Sequence, residues 1–246
     1  MDPSSLTRIS ALILVAAVAP CNAGSTGDHL VPVPEAYGSA AAYQKLWQAK
    51  LLVTPGDVAR FVGLPGTVGE ETAVSVYQKT NKTGAGTDDY WLTVTQASKR
   101  IWDAVPAPGV EKATDPQTIA IQRCDTPLPE STAVAIHKVW LRMLSRTKPE
   151  RDLENTLVEG SREIFSATDS NGVIMRGQRS SDPKKDTLAL VALATSLMEY
   201  CSAPVSERPE QARKIEKDAS ALLKRLQPLK AQHAASSPKA AIKPER

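Results

Sequence analysis

The chain has 246 residues, of which 41% are hydrophobic and 4% aromatic, and its 30 Lys and Arg nearly balance its 27 Asp and Glu. This length allows one domain with appended segments. Because cations and anions are interspersed, the sequence lacks the concentrated basic face typical of nucleic-acid binding, and no nucleic-acid partner is expected.

The first 23 residues are typical of a secretory signal peptide. Arg8 precedes an apolar run over 9–19, which is shorter than the roughly 20 residues that a bilayer-spanning helix needs. Cleavage after Ala23 puts small residues at both specificity positions of the cut. The alternative is lipoprotein processing with Cys21 as the lipidated residue, although Pro20 occupies the position where a lipobox has a small residue. The sequence therefore predicts a periplasmic or secreted protein, with membrane contact only if Cys21 is lipidated.

Removal of the signal peptide leaves two cysteines, Cys124 and Cys201. An even pair in an oxidising compartment predicts one disulfide. The bond would close a loop of roughly 78 residues, which in the chain-entropy model stabilises the fold by about 4 to 5 kcal/mol. Two separate buried thiols are the alternative.

The first part of the mature chain reads as a linker followed by two helices. Residues 24–38 are rich in Gly, Ser and Pro and are typical of a linker. Helical spacing of apolar residues predicts an amphipathic helix over 39–52. A short second helix is predicted over 54–63, because Thr54 is a good N-cap and Gly63 is a typical stop.

The middle of the chain changes to strand patterns. Residues 72–78 and 89–96 alternate apolar and polar positions and are joined by a polar loop, which predicts a β-hairpin. A third strand is predicted over 118–124. The Asn-Gly step at 171–172 predicts a second hairpin.

Three further helices are predicted. The first follows Pro129 and has an apolar face built from Ala133, Ile136, Val139, Trp140, Met143 and Leu144. Residues 186–201 are apolar almost all round, which is typical of a central buried helix. Residues 207–227 form a charged amphipathic pattern whose apolar stripe contains Ala212, Ile215, Ala219, Leu222, Leu223 and Leu226.

These elements predict an α+β fold, with an antiparallel sheet of about five short strands packed by helices on one face, in a single domain over 39–227. The N- and C-terminal segments are expected to be flexible, and residues 228–246 read as a disordered basic tail.

The three histidines do not form a catalytic or metal-binding pattern. His29 lies in the linker and His233 in the tail, so only His137 is expected to be rigidly placed. This argues against a Ser-His-Asp triad or a multi-histidine zinc site, and no metal or cofactor is expected. His137 is expected to be a partly buried histidine with a hydrogen-bond partner, the alternative being a lone general base.

Acidic residues offer a second route to catalysis. Pairs at 70–71 and 88–89 flank the first hairpin, and glycoside hydrolysis needs two carboxylates about 5 to 10 Å apart. Glu71 and Asp89 could converge across the hairpin. Tyr77, Tyr90 and Trp91 lie nearby and could stack on a sugar.

Two short motifs have simpler explanations. The sequence DSNG at 169–172 resembles the start of a calcium loop, but position twelve is Ser180 where a Glu is required. A hairpin tip is therefore expected there. Asn81 begins a formal N-glycosylation sequon whose use depends on the source organism.

No catalytic or cofactor-binding residue is identified. The sequence favours a non-catalytic exported module that binds an envelope protein or a glycan. The alternatives are an exported hydrolase with unidentified carboxylates and a lipid-anchored envelope component.

Overall fold

The computed structural model describes residues 28–52, 56–66, 68–79, 89–106, 114–149, 161–180 and 183–227. They contain four α-helices: α1 Gly38–Leu51, α2 Glu130–Leu144, α3 Lys185–Ser202 and α4 Arg208–Leu226. The strands are β1 Asp57–Leu64, β2 Thr72–Lys79, β3 Asp89–Ala97, β4 Ile121–Pro127, β5 Arg162–Thr168 and β6 Ile174–Gln178. Single 3-10 turns occur at Ile101–Ala104 and Pro116–Thr118. The α+β prediction is confirmed, with six strands where about five were expected.

All six strands form one antiparallel sheet in the order β4-β3-β2-β1-β5-β6. Both predicted hairpins are present, as β2–β3 and β5–β6. The tip of the second has Gly172 at φ 78°, and the Asp169 carboxylate accepts hydrogen bonds from the backbone N–H groups of Asn171 and Val173. The DSNG sequence therefore forms the turn of a hairpin, stabilised by the side chain of its aspartate.

The predicted short helix over 54–63 is wrong, because Asp57–Leu64 is strand β1. This strand pairs with β2 on one side and β5 on the other, so it is central in the sheet, and it contributes buried residues to the cores on both faces. Phe61 packs toward the main core and Val62 toward the opposite face. A strand of this kind loses the simple alternation that identifies half-buried strands, which is why a helix was predicted.

The third predicted strand begins later than expected. Its observed range is Ile121–Pro127 instead of 118–124, because the chain before it forms the 3-10 turn Pro116–Thr118. In that turn Asp115 accepts a hydrogen bond from the Gln117 N–H. The shift leaves Cys124 in the middle of the strand.

Helices α2, α3 and α4 cover one face of the sheet and form the main core. Trp140 of α2 packs edge-on against Phe165 of β5, with ring centroids 5.6 Å apart. The apolar positions predicted for α2 are all buried, as is the α4 stripe apart from the half-buried Leu223. Helix α3, whose nearly all-round apolar pattern predicted a central buried helix, buries one face, and Leu188 outside that face is 47% exposed.

Helix α1 and the turn Ile101–Ala104 lie on the opposite face of the sheet. Trp47 and Leu51 of α1 are buried with Val62 and Ala73 of the sheet in a second, smaller core. Thr95 donates a hydrogen bond to the Leu51 carbonyl and fixes the end of the helix. Both faces of the sheet are therefore used, whereas helices were predicted on one.

The segment before α1 is docked where a linker was predicted. The Asp28 carboxylate accepts hydrogen bonds from the N–H groups of Asp186 and Thr187 at the start of α3. Leu30 is fully buried, and Val31 forms an isolated antiparallel bridge with Gln178. Residues 28–31 thus belong to the folded domain.

A disulfide joins Cys124 in β4 to Cys201 in the last turn of α3, with Cα atoms 6.1 Å apart. It ties an outer strand of the sheet to the helical layer, as the cysteine pattern predicted. Among the helices of the described ranges, none combines the length and apolar character needed to cross a membrane. The predicted signal peptide, Cys21, Asn81 and the basic tail lie outside the described residues and stay predictions.

Candidate functional site

An open groove of about 590 Å³ lies beside α1. One wall is a stripe of α1 formed by Ala42, Leu46 and Ala49, spaced four and three residues apart. The other wall comes from the chain around the two 3-10 turns, with Val105 and Pro116 among its members. We call this cavity the α1 groove.

Helix α1 is apolar on two sides, and this creates the groove. Tyr43, Trp47 and Leu51 face the sheet, whereas the exposed Ala42 and Ala49 face the groove. Leu46 lies between the two sides, because it packs against the second core and also lines the groove. The alanines have no bulk beyond Cβ, so a ligand can approach the helix backbone closely. The second stripe was visible in the sequence as spacing 42, 46, 49, but alanine is a weak hydrophobic signal.

Glu71 holds the two walls of the α1 groove together. Its carboxylate is fully buried and accepts hydrogen bonds from the Tyr43 hydroxyl at 2.7 Å, the Ile101 N–H at 2.7 Å and the Trp102 N–H at 3.2 Å. Tyr43 belongs to α1, and the two N–H groups open the turn Ile101–Ala104. Both oxygens act as acceptors, which is the role of an ionised carboxylate.

Burial shifts the pKa values of two residues in this part of the protein, Tyr43 and Arg162. Burial, followed by the hydrogen bond to Glu71, raises the pKa of the Tyr43 phenol far above its ordinary value, so Tyr43 stays a donor at physiological pH. Burial also lowers the pKa of Arg162. The Tyr43 ring packs edge-on against Trp102, with centroids 4.8 Å apart, and Trp102 is 40% exposed.

Among the described residues, the charged groups that line the α1 groove are Lys45 and Asp115, which we place at its rim. Lys45 is exposed, and none of the ion pairs formed within the described residues involves it. Asp115 is also on the rim, where its carboxylate caps the turn Pro116–Thr118. Within the described residues, the groove is thus an apolar trough with one cation, Lys45, that has no acidic ion-pair partner.

The predicted convergence of Glu71 and Asp89 is wrong. Glu71 precedes Thr72, which pairs with Gln96, whereas Asp89 pairs with Lys79 at the far end of the hairpin. Eight residues of extended chain separate the two positions, which is roughly 26 Å at the usual rise per residue. They cannot act on one glycosidic bond, and Glu71 is inaccessible.

A second, smaller cleft of about 340 Å³ lies at the start of β3, at the opposite end of that strand from the α1 groove. Asp89, Tyr90 and Trp91 form one side. The loop from Pro127 to Pro129 and the exposed Glu130 form the other. We call this cavity the Trp91 cleft.

The three aromatic residues considered for sugar stacking are divided between the faces of the sheet. Tyr77 and Trp91 are cross-strand partners and share the face on which α1 lies. Tyr90 packs against the main core, and its hydroxyl accepts a hydrogen bond from Gln78. The Lys79 ammonium lies 4.6 Å from the centroid of the Trp91 ring.

A row of polar residues crosses the sheet between these sites. The strand registers align one residue from each strand: Asp125, Thr93, Ser75, Arg60, Ser166 and Arg176. Neighbours in this row form hydrogen bonds with each other: the Thr93 hydroxyl donates to the Asp125 carboxylate, and the Ser75 hydroxyl accepts from the Arg60 guanidinium. We assign this row a structural role.

His137 has the environment predicted for it. It is half-buried, and its Nε2–H donates a 2.7 Å hydrogen bond to the Thr168 carbonyl. The described residues contain no group of three or more His, Cys, Asp or Glu side chains arranged to hold a metal ion.

Comparison with protein-family models, with curated proteins and with solved structures finds no match to this chain.

Proposed function

We propose that this protein is an exported, non-catalytic binding module whose α1 groove holds the acyl chain of a free fatty acid. The observation that carries the proposal is the composition of the groove, which is apolar along both walls and bears Lys45 at its rim. Its volume of about 590 Å³ falls in the range of small-molecule sites, roughly 300 to 1,000 Å³.

The distribution of charge favours a fatty acid over a polar ligand. A polar molecule inside the groove would lose hydrogen bonds to water and regain few from Ala42, Leu46 and Val105. The hydrocarbon part of a fatty acid makes no hydrogen bonds to water, so it gives up none on entering the groove. Its carboxylate can reach the Lys45 ammonium. Asp115 is the opposing rim charge, but its Oδ1 already accepts the Gln117 N–H.

The alternative class, an exported hydrolase, has weaker support. Among the described residues, the α1 groove offers one acid, Asp115, where hydrolysis by paired carboxylates needs two. Asp89 and Glu130 share the Trp91 cleft, but both are exposed. A carboxyl group acting as general acid near neutral pH needs an apolar enclosure that keeps it protonated.

The binding proposal is tested by titrating the protein with a dansyl-labelled undecanoic acid and displacing the probe with laurate. We expect a saturable rise in dansyl fluorescence. Ala49→Trp fills the groove and should abolish the rise, whereas Ala192→Trp, at an exposed alanine of α3, should leave it unchanged. Lys45→Met should weaken binding by about two- to fivefold, the scale of an exposed ion pair. Equal binding by Ala49→Trp and Ala192→Trp would rule out the groove.

The exported location is supported by the N-terminal sequence and by the Cys124–Cys201 disulfide, because disulfides persist in oxidising compartments. The intact mass of the protein expressed from its full sequence in a secreting host tests it. Cleavage after Ala23 gives the mass of residues 24–246. Additional mass on Cys21 would instead support the lipid-anchored alternative, and retention of residues 1–23 would contradict export.

A further inference from the structure

We infer that the Trp91 cleft is a second binding site, which takes the side chain of an arginine from a partner peptide. The juxtaposition that points to it is an indole ring, two exposed carboxylates and a proline-rich wall around a cavity of about 340 Å³. This site is independent of the α1 groove and of its proposed ligand.

The shape of the cleft is fixed by contacts behind it. The Leu128 N–H donates to the Tyr90 carbonyl at 2.9 Å, and the Tyr200 hydroxyl donates to the Pro127 carbonyl at 3.1 Å. These bonds hold the loop after β4 against β3 and α3. The cleft is therefore preformed, which reduces the entropy lost on binding.

The charges lining the cleft favour a cation. Asp89 and Glu130 supply two carboxylates, and none of the ion pairs formed within the described residues involves either one. The nearest arginine along β4, Arg123, is engaged by Asp125 at 2.6 Å. An anionic ligand would meet two like charges, so the observations oppose a phosphate or a carboxylate.

The Trp91 ring already attracts one cation. The Lys79 ammonium lies 4.6 Å from the ring centroid, within the distance at which a cation interacts with the negative face of an indole. The position of Lys79 indicates that the Trp91 ring attracts cations. The same lysine also places a positive charge beside the cleft. A cationic ligand must therefore bind against the repulsion of Lys79.

Arginine suits this combination better than lysine. Its planar guanidinium stacks on aromatic rings and presents five N–H donors, enough to serve Asp89 and Glu130 together. The ammonium of lysine is compact and more strongly hydrated, so it gains less from an open aromatic cleft. A neutral sugar could also stack on Trp91, but it would not respond to the charge of Lys79.

The test uses the indole N–H signal of Trp91 in two-dimensional ¹H–¹⁵N NMR spectra, assigned with Trp91→Phe. The full protein is titrated with N-acetylarginine amide, with N-acetylcitrulline amide as its neutral analogue, with N-acetyllysine amide and with N-acetylglucosamine. We expect a saturable shift of the Trp91 signal with the arginine ligand, a weaker one with lysine and none with citrulline or the sugar.

Variants then show whether the charges of Lys79 and Asp89 weaken or strengthen arginine binding. Lys79→Met removes the competing cation and should tighten arginine binding by about two- to fivefold. Lys138→Met, at an exposed lysine of α2, is the matched control and should change nothing. Asp89→Asn should weaken binding by a similar factor. The unperturbed spectrum of each variant shows that it is folded.

Two results would overturn the inference. Citrulline or N-acetylglucosamine binding as well as arginine would show that the cleft recognises a stacking surface and not a cation. Unchanged or weaker arginine binding by Lys79→Met would show that Lys79 does not oppose the ligand.

Discussion

Replacing Glu71 by Gln should destabilise the protein far more than a surface substitution. The carboxylate is fully buried and accepts three hydrogen bonds. The amide removes the charge and turns one acceptor into a donor, which then faces an N–H or O–H group. A lost charge-assisted hydrogen bond costs about 1.5 to 3 kcal/mol, so we expect Glu71→Gln to lower the free energy of unfolding by about 2 to 3 kcal/mol.

Glu71→Ala leaves all three donors without their partner and should cost more, about 4 kcal/mol, in the range of other broken buried charge interactions. Urea unfolding followed by far-ultraviolet circular dichroism measures both effects. With an m-value of about 2 kcal/mol per molar urea, Glu71→Gln should lower the unfolding midpoint by about 1 to 1.5 M. Glu70→Gln is the matched control, because Glu70 is exposed, and it should stay within about 0.5 kcal/mol of the wild type.

A local measurement separates the proposed role of Glu71 from general destabilisation. Amide hydrogen exchange of Ile101 and Trp102 should accelerate in Glu71→Gln more than exchange in α2, because those two N–H groups lose their acceptor. If Glu71→Gln and Glu70→Gln have the same unfolding midpoint, or if the two amides exchange as in the wild type, Glu71 does not hold the groove walls together.

Three further predictions concern other contacts. Reducing the Cys124–Cys201 bond should lower the free energy of unfolding by about 4 to 5 kcal/mol, measured in urea with and without reductant; an unchanged midpoint would contradict this. Asp28→Ala removes the carboxylate that caps α3 and should cost about 1 kcal/mol, whereas no change would mean that this cap contributes nothing to stability. The Arg123 guanidinium lowers the pKa of Asp125, so this pair stabilises the fold above about pH 4, the ordinary range of an Asp carboxyl, and that stability is lost as pH falls through the lower folded pKa. Arg123→Gln should raise the Asp125 pKa measured by carbon-detected NMR, and an unchanged value would refute the assignment.

The parts of the fold that the sequence predicted correctly are those with strong periodic signals. The α2 face, the α4 stripe and the two hairpins follow directly from apolar spacing and from the Asn-Gly turn. The disulfide followed from an even cysteine count. Strand β1 was missed because a central strand needs apolar residues on both faces, and Gly63 resembled a helix stop although it lies inside the strand.

The candidate sites were less predictable, because they depend on distant segments. Nothing in the sequence around Glu71 shows that its carboxylate meets Tyr43, 28 residues earlier, or Trp102, 31 residues later. The α1 groove has a wall of small alanines and a wall from irregular chain, neither of which has a strong sequence signature. Asp89 and Trp91 were identified, but their cleft needed the loop that precedes Glu130.

Methyl NMR during titration with laurate tests the central claim that the α1 groove binds an acyl chain. With alanine and leucine methyl groups labelled, we expect saturable shifts at Ala42, Leu46 and Ala49. The exposed Leu188 and Ala192 of α3 should not shift, which controls for weak association with exposed apolar groups. The absence of shifts at the three groove positions, or equal shifts at Leu188 and Ala192, would contradict the account.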